Sequence, residues 1–472
     1  MYVGDPSGVT SKVALAGGYN VPVTGAPSSE VLELPLPDRL LIPLTSRRLE
    51  FSELRVKDGQ RVQPGQVLAV DHGHYSIPLL APCAGTVRLD GQEGHIVLDE
   101  LEVPPQEPDA GSSAPARIGE LPPGFSVATL VEMGVWQFLS DARTGAPVDP
   151  AVSPDVVMVS AVRLEPFVTG GEAQLPGNVD AFARGLSLLH AIFPDCAVCA
   201  VVPDTDDPLA LEAKEAATKC GCARVLAIPL KYPFDNPALL ARLTGLAGDP
   251  HAQLWATSLE GLLALDEAVT HSRPRTERIV SLAGPAVTQP VHLRVMLGYP
   301  IDAILNGRLC REPARVVEGG LLTGRTLPEG WLGLGAECTG LTVLGELTER
   351  TFMAFARPGV SRRSYNRSFV GTYRPEMGVR FSTALAGELR PCISCGQCVD
   401  ICPTRIMPNV LHKAIYAKDL ERAIDVRVDL CIECGLCSYV CPSKIDLRQQ
   451  FVDAKAEIQA DMEAALALEA EA

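Results

Sequence analysis

Hydrophobic and polar positions change rhythm several times along the chain, and each rhythm predicts a different element. Between residues 28 and 100, short apolar stretches alternate with glycine and proline turns. Val56-Lys-Asp-Gly59-Gln-Arg-Val62 leads into Gln-Pro64-Gly65-Gln66-Val67-Leu68, and Ala81-Pro82-Cys83-Ala84-Gly85-Thr86-Val87 follows. Strand, glycine turn, strand predicts a small β-sandwich. Residues 101–125, with several prolines, read as a linker. From 126 to 276, apolar runs at Val156–Val162, Ala197–Val202, Arg224–Leu230 and Gln253–Ala256 alternate with helical stretches at Val179–Ile192, Pro208–Cys220 and Ser258–His271. That alternation predicts a parallel α/β sheet. Residues 277–375 return to strands and turns, at Arg278–Ala283, Val291–Leu297 and the glycine-rich Glu318–Gly324. A last helix over 451–472 puts Phe451, Ile458, Met462 and Leu466 on one side and predicts packing against the body.

Composition narrows the picture. The 472 residues are 47% hydrophobic and 21% charged, enough for several buried cores. A net charge of −16 argues against nucleic acid as a partner. No apolar run reaches the ~18 residues of a membrane span, and the first residues lack the form of a secretory signal, so a cytosol-facing chain is expected. No G-x-G-x-x-G or Walker motif occurs, and Gly170-Gly171-Glu172 reads as a plain turn.

The fifteen cysteines carry the chemistry. Eight of them form two runs, Cys392-Ile-Ser-Cys395-Gly-Gln-Cys398-Val-Asp-Ile-Cys402-Pro403 and Cys431-Ile-Glu-Cys434-Gly-Leu-Cys437-Ser-Tyr-Val-Cys441-Pro442. Both have the spacing of bacterial two-cluster ferredoxins, in which the fourth cysteine of each run serves the other cluster. The expected ligand sets are therefore Cys392, Cys395, Cys398 and Cys441 for one 4Fe–4S cluster, and Cys431, Cys434, Cys437 and Cys402 for the second. Gly396 and Gly435 would let backbone amides approach sulfur. Zinc sites instead come as C-x2-C pairs separated by a loop, without the C-P ending. Cys196-Ala-Val-Cys199 lies at the start of a predicted strand, whose residues three apart face opposite sides and chelate poorly. Cys220-Gly-Cys222 reads as a helix end, and Cys83, Cys310 and Cys338 stand alone; all seven are expected to be core or loop thiols.

Several stretches resemble known families. Gly18-Tyr-Asn-Val21-Pro22-Val23-Thr-Gly25-Ala26-Pro27, Gly134-Val135-Trp136, Leu282-Ala283-Gly284-Pro285-Ala-Val287-Thr-Gln-Pro290, Pro358-Gly359 with Ser364, Arg367 and Phe369, and Arg405-Ile-Met407-Pro408 resemble the A subunit of the sodium-translocating NADH:quinone reductase (Nqr). That family lacks iron–sulfur clusters. The cysteine runs, Glu165-Pro166-Phe167-Val168-Thr169, Lys231-Tyr232-Pro233 and the region around Arg278–Arg325 are instead similar to the C subunit of the Rnf electron-transport complex, which carries two. The resemblance implies a multidomain α/β and β fold. Its parts are a barrel-sandwich-like β module (28–100), a Rossmann-like α/β domain (126–276), an SLBB β-grasp-like region (277–375), an α-helical dicluster ferredoxin domain (385–447) and the C-terminal helix. The β module resembles biotinyl and lipoyl carriers, but Asp71-His-Gly-His74-Tyr75 holds no lysine at the hairpin tip where those carriers are modified, so a structural role is expected.

Three segments depart from the flavin- and NADH-binding half of the Rnf protein. Its G-G-A-G-F-P loop is here Met133-Gly-Val-Trp136-Gln-Phe138, its Asn-Gly-Ala-Glu-Cys is Ser160-Ala-Val-Arg163-Leu164, and its Gly-Ala-Glu is Phe234-Asp235-Asn236. The expectation is that the chain binds neither FMN nor NADH. The resemblance then implies an electron-transfer subunit, held on the cytoplasmic side of the inner membrane by membrane subunits. It would relay single electrons between a soluble donor or flavoprotein and those membrane subunits, the electrons coming from NADH, ferredoxin or another redox protein. Two alternatives stand beside it: a flavin-dependent NADH dehydrogenase subunit, or a soluble reductase for a corrinoid or other protein partner.

Overall fold

A computed structural model describes residues 2–4, 10–12, 15–89, 94–102, 121–246, 248–249, 251–310, 313–328, 330–346, 365, 370–373, 383 and 389–471. Pro358, Gly359, Ser364, Arg367 and Phe369 of the Nqr-like sequence lie outside these residues.

The alternating segment forms a sheet of seven strands. Leu254–Ser258, Val156–Ser160, Ala197–Pro203 and Ala223–Ile228 run parallel in that order. Ser140–Asp141 closes one edge antiparallel. The other edge is extended by the N-terminal hairpin of Tyr2–Gly4 and Thr10–Lys12, which no local pattern announced. Helices Val179–Ile192, Pro208–Lys219 and Leu259–His271 cover one face. Their starts have local causes: Asp207 accepts the Leu209 and Ala210 N–H groups, and the Ser258 hydroxyl accepts that of Gly261. Cys196 and Cys199 enter cores on opposite faces of this sheet.

Within 28–100, strands Leu40–Pro43, His95–Glu102, Ala84–Arg88 and Arg61–Val62 make one sheet, and Glu53–Leu54, Val67–Asp71 and Ile77–Leu80 another. Their inward residues, among them Leu40, Phe51, Leu68 and Ile96, belong to the same apolar core as Trp136, Phe182 and Trp255 of the α/β sheet. The strand His95–Glu102 runs on into the predicted linker, and Leu121 and Phe125 pack on that core. Val31–Glu33 leaves the sandwich altogether. It pairs in parallel with Val291–Met296, on the edge of a six-stranded mixed sheet that also contains Glu277–Ala283, Gly340–Gly345, Ala314–Glu318 and Arg325–Thr326.

Glu337 fastens these parts together. Its carboxylate accepts the Ser46 hydroxyl at 2.6 Å and the Arg48 N–H at 2.9 Å and pairs with the Arg48 guanidinium, which also donates to the Gln137 carbonyl at 3.0 Å. Burial pushes the carboxyl up, but the Arg48 charge with the Ser46 and Arg48 hydrogen bonds outweighs it and holds the group below its usual range. A carboxylate with a depressed folded pKa stabilises above the unfolded value and loses that contribution as pH falls through the folded one. Glu337→Ala should therefore cost about 3 kcal/mol at pH 7, by stranding a half-buried arginine. The gap between wild type and variant should close in acid below the ordinary carboxylate range, as chemical denaturation at each pH would read. An unchanged gap down to pH 3 would reject the assignment.

The terminal helix spans Leu447–Glu471, starting four residues before the predicted 451. Phe451 and Ala454 are buried and Ile458 packs beside them, but Met462 is exposed and Leu466 lies beyond the described side chains. Its first turns dock on the cysteine-rich region.

Candidate iron–sulfur centre

The two cysteine runs fold as copies of one another, 39 positions apart. Ser394 and Glu433 have φ of 54° and 55°, Gly396 and Gly435 78° and 76°, and Arg405 and Lys444 both 58°. Each glycine caps a short helix, Gln397–Ile401 and Leu436–Val440, and each helix ends at the fourth cysteine, Cys402 or Cys441. The left-handed glycine bends the chain between the second and third thiols, and the proline after the fourth turns it away.

This duplication makes two small cavities, both open to solvent on one side. Cys392, Cys395, Cys398 and Cys441 line the first, with Ile393, Asn409 and Ile445. Cys402, Cys431, Cys434 and Cys437 line the second, with Ile406, Arg448 and Phe451. The helices Gln397–Ile401 and Leu436–Val440 pack against each other, so each run lends its last thiol to the cavity of the other.

The donor set fits a polynuclear iron cluster. Four soft sulfurs surround each space among apolar walls. Among the described residues, no three or more His, Cys, Asp or Glu side chains are drawn together as they are round a single ion. Burial pushes Cys398 and Cys431 up to about 11 and Cys434 to about 12, and carries Cys437 well above its ordinary value. Neighbouring thiols raise them further. Thiolates here would need a cationic partner to exist out of water.

The second cavity is clamped to the body. Tyr232 donates its hydroxyl to the Cys434 carbonyl at 2.7 Å, and the Gly18 N–H donates to the Ile401 carbonyl at 2.9 Å. Tyr19 stacks on Tyr439 at 6.1 Å and meets Tyr365 edge-on at 5.1 Å. Arg448 reaches the Glu433 carbonyl, and Lys455 bonds Glu433 and the Cys431 carbonyl. Glu165 occupies the backbone N–H groups of Leu322 and Thr323 and takes the Thr323 hydroxyl, fixing the glycine-rich turn on which Gly435 rests. The motifs around Tyr19, Glu165 and Tyr232 were visible as resemblances. Their place beside the second set of thiols was not, because those contacts join residues 157 or more positions apart. The first cavity has lining residues at the surface: Cys395 is exposed and Ile393 is 67% exposed.

The segments that depart from the Rnf protein have other duties. Trp136 does not reach toward a ligand space. It is fully buried, donates its indole N–H to the Val148 carbonyl at 2.7 Å and meets Trp255 edge-on at 5.5 Å. Phe138 packs against Gly261, where a Cβ would collide with it. Asp235 accepts the Leu164 N–H at 3.0 Å, binding two of the altered segments together, and burial raises its pKa.

Comparison with known proteins agrees with this division. Residues 279–328 match the family described as NQRA C-terminal domain, and residues 391–445 match the 4Fe-4S dicluster domain. The chain is 24% identical over 418 residues to the A subunit of the Na(+)-translocating NADH-quinone reductase of Shewanella amazonensis, covering 87% of this chain and 91% of the relative. It is 26% identical over 415 residues to the same subunit of Pseudomonas aeruginosa, with the same coverage of both chains. A solved structure, NAD+-reducing [NiFe]-hydrogenase in the air-oxidized state, aligns with a TM-score of 0.42 and 15% identity over 72% of this chain and 65% of that one. At that score the likeness carries no argument. The chain is thus similar over most of its length to the A subunits of the Na(+)-translocating NADH-quinone reductases, and it joins an NQRA C-terminal domain to a 4Fe-4S dicluster domain.

Proposed function

We propose that the chain is the electron-transfer iron–sulfur subunit of a membrane-associated, ion-translocating oxidoreductase complex of the Nqr or Rnf type. The observation that carries this reading is the pair of adjacent four-thiol cavities, one with an exposed thiol and one clamped to the body. Cys392, Cys395, Cys398 and Cys441 would hold one 4Fe–4S cluster, and Cys431, Cys434, Cys437 and Cys402 the other. Bound there, the clusters supply one-electron redox chemistry. The protein's own part would be to fix the spacing, line the second site with the apolar Phe451, Ile406 and Leu436, and set Arg448 and Lys455 beside a centre of negative charge.

Among the described residues no helix is long and apolar enough to cross a membrane. Membrane subunits would therefore provide attachment, on the cytoplasmic side of the inner membrane. The names of the relatives support such an assembly. The soluble donor would be NADH acting through a flavoprotein, ferredoxin or another redox protein. The segments equivalent to the flavin-facing loops are spent on core packing and on the Asp235–Leu164 tie, which supports a chain without FMN of its own.

The test is anaerobic purification with iron and sulfide analysis, followed by addition of FMN and NADH. About eight irons and eight labile sulfides per chain are expected, with no bleaching of the visible spectrum by NADH. Zinc without labile sulfide would overturn the cluster reading. Stoichiometric FMN binding with rapid bleaching by NADH would replace the relay by the flavin-dependent dehydrogenase.

A further inference from the structure

The helix Pro208–Lys219 ends in Cys220-Gly221-Cys222, and the strand Ala223–Ile228 begins at the next residue. The turn needs glycine, since Gly221 has φ of +68°. Its effect is to fold the two cysteines back on one another. The Cys222 thiol donates to Cys220 Sγ at 3.4 Å, and the Cys220 thiol donates to the Ala217 carbonyl at 3.0 Å. Both cysteines are half-buried, and a Cβ placed on Gly221 would meet nothing within 4 Å, so the turn is open to small molecules. In the sequence these cysteines read as ordinary helix-end thiols; the structure makes them a pair.

We propose that Cys220 and Cys222 form a reactive dithiol that closes reversibly to a disulfide by exchange with a low-molecular-weight disulfide. Cys220 is the attacking sulfur. Its thiol is pulled below the ordinary range by the hydrogen bond from Cys222, against the effect of burial and with help from the Cys222 and Ala223 backbone N–H groups and from His190. The Cys220 thiolate attacks one sulfur of the small disulfide and expels the other as a thiolate, leaving a mixed disulfide on Cys220. Cys222 then gives up its proton and attacks Cys220 Sγ, expelling the second thiolate. Two electrons pass from the protein sulfurs to the small disulfide, and two protons end on the two released thiols.

This site is separate from the candidate iron–sulfur centre. The pair precedes the first residue of Ala223–Ile228, whereas Tyr232 follows its last. A strand of that length is about 20 Å long. Closing the ring would staple a surface helix to the strand Ala223–Ile228 without touching the eight cluster-region cysteines.

The experiment treats the full-length protein anaerobically with oxidised glutathione at pH 7, blocks free thiols with an alkylating agent and maps tryptic peptides by mass. Cleavage after Lys219 and Arg224 isolates Cys220–Arg224. In the wild type that peptide should lose two hydrogens and take no alkyl group, and dithiothreitol should restore both thiols. Cys222→Ser should stop at one glutathione on Cys220, and Cys220→Ser should leave Cys222 free to be alkylated. Two alkylated thiols in the wild type, a lasting glutathione adduct there, or a disulfide from either cysteine to any other would each overturn the proposal.

Discussion

Cys441→Ala should empty the site that Cys392, Cys395 and Cys398 form with it, not the one formed by its own run. Iron should fall from about eight to about four per chain. The remaining EPR signal should belong to the site of Cys431, Cys434, Cys437 and Cys402. The mirror variant, Cys402→Ala, should leave the other signal. The reason lies in the packing of Gln397–Ile401 against Leu436–Val440, which carries each fourth thiol across to the opposite cavity. Loss of the signal from the Cys431 site in Cys441→Ala would show that each run keeps its own fourth ligand. Loss of both clusters in either variant would show that the two sites stand or fall together.

Gly17→Val should loosen the cysteine-rich domain from the body. Gly17 has φ of +65°, and a Cβ there would lie 2.5 Å from the Cys402 carbonyl oxygen and 2.7 Å from that of Ile401. The left-handed backbone alone costs a β-branched residue about 1–2 kcal/mol. Displacing main-chain atoms adds about 1–3 kcal/mol. Gly59→Val provides the comparison, because Gly59 has φ of +75° with nothing within 4 Å of the added Cβ. The Gly17 variant should lose its visible absorbance at a lower temperature than the Gly59 variant and expose the region after 389 to protease. Equal melting of the two would mean that the Gly17 contact does not hold the domain.

How far the sequence could be read depended on how local each cause was. Val179–Ile192 has its predicted bounds because its apolar period and its ends lie within the segment itself. The cysteine spacing was legible for the same reason: the bend at Gly396 or Gly435 and the short helix after it are complete within one run. The partnership of Val31–Glu33 with Val291–Met296 was not, since three residues carry no signal for a strand partner elsewhere in the chain. Trp136 was legible as a departure from the Rnf loop. A large aromatic reads alike whether it faces a ligand or a core, and its hydrogen bond to Val148 decides the matter only once the chain is folded. Gly18, Tyr19 and Tyr232 were legible as motif members but not as the seat of the second set of thiols.

The pairing of Val31–Glu33 with Val291–Met296 also sets a timetable for the growing chain. A ribosome adding about 5–20 residues per second delivers the first strand, then needs roughly 13–50 s to deliver its partner about 260 residues later. Gly17 waits longer still for Cys402. Through that interval the sandwich and the parallel sheet can close their shared core and Tyr19 and Asn20 can reach Tyr232 and Leu230, while residues 25–33 trail as a tether with nothing yet to grip. The cysteine-rich domain emerges after all of them and finds its dock only when that tether has been drawn in. Iron delivered to the nascent chain would thus meet the first four-thiol site, whose Cys395 lies exposed, on easier terms than the second, whose surroundings are completed by the oldest residues of the chain.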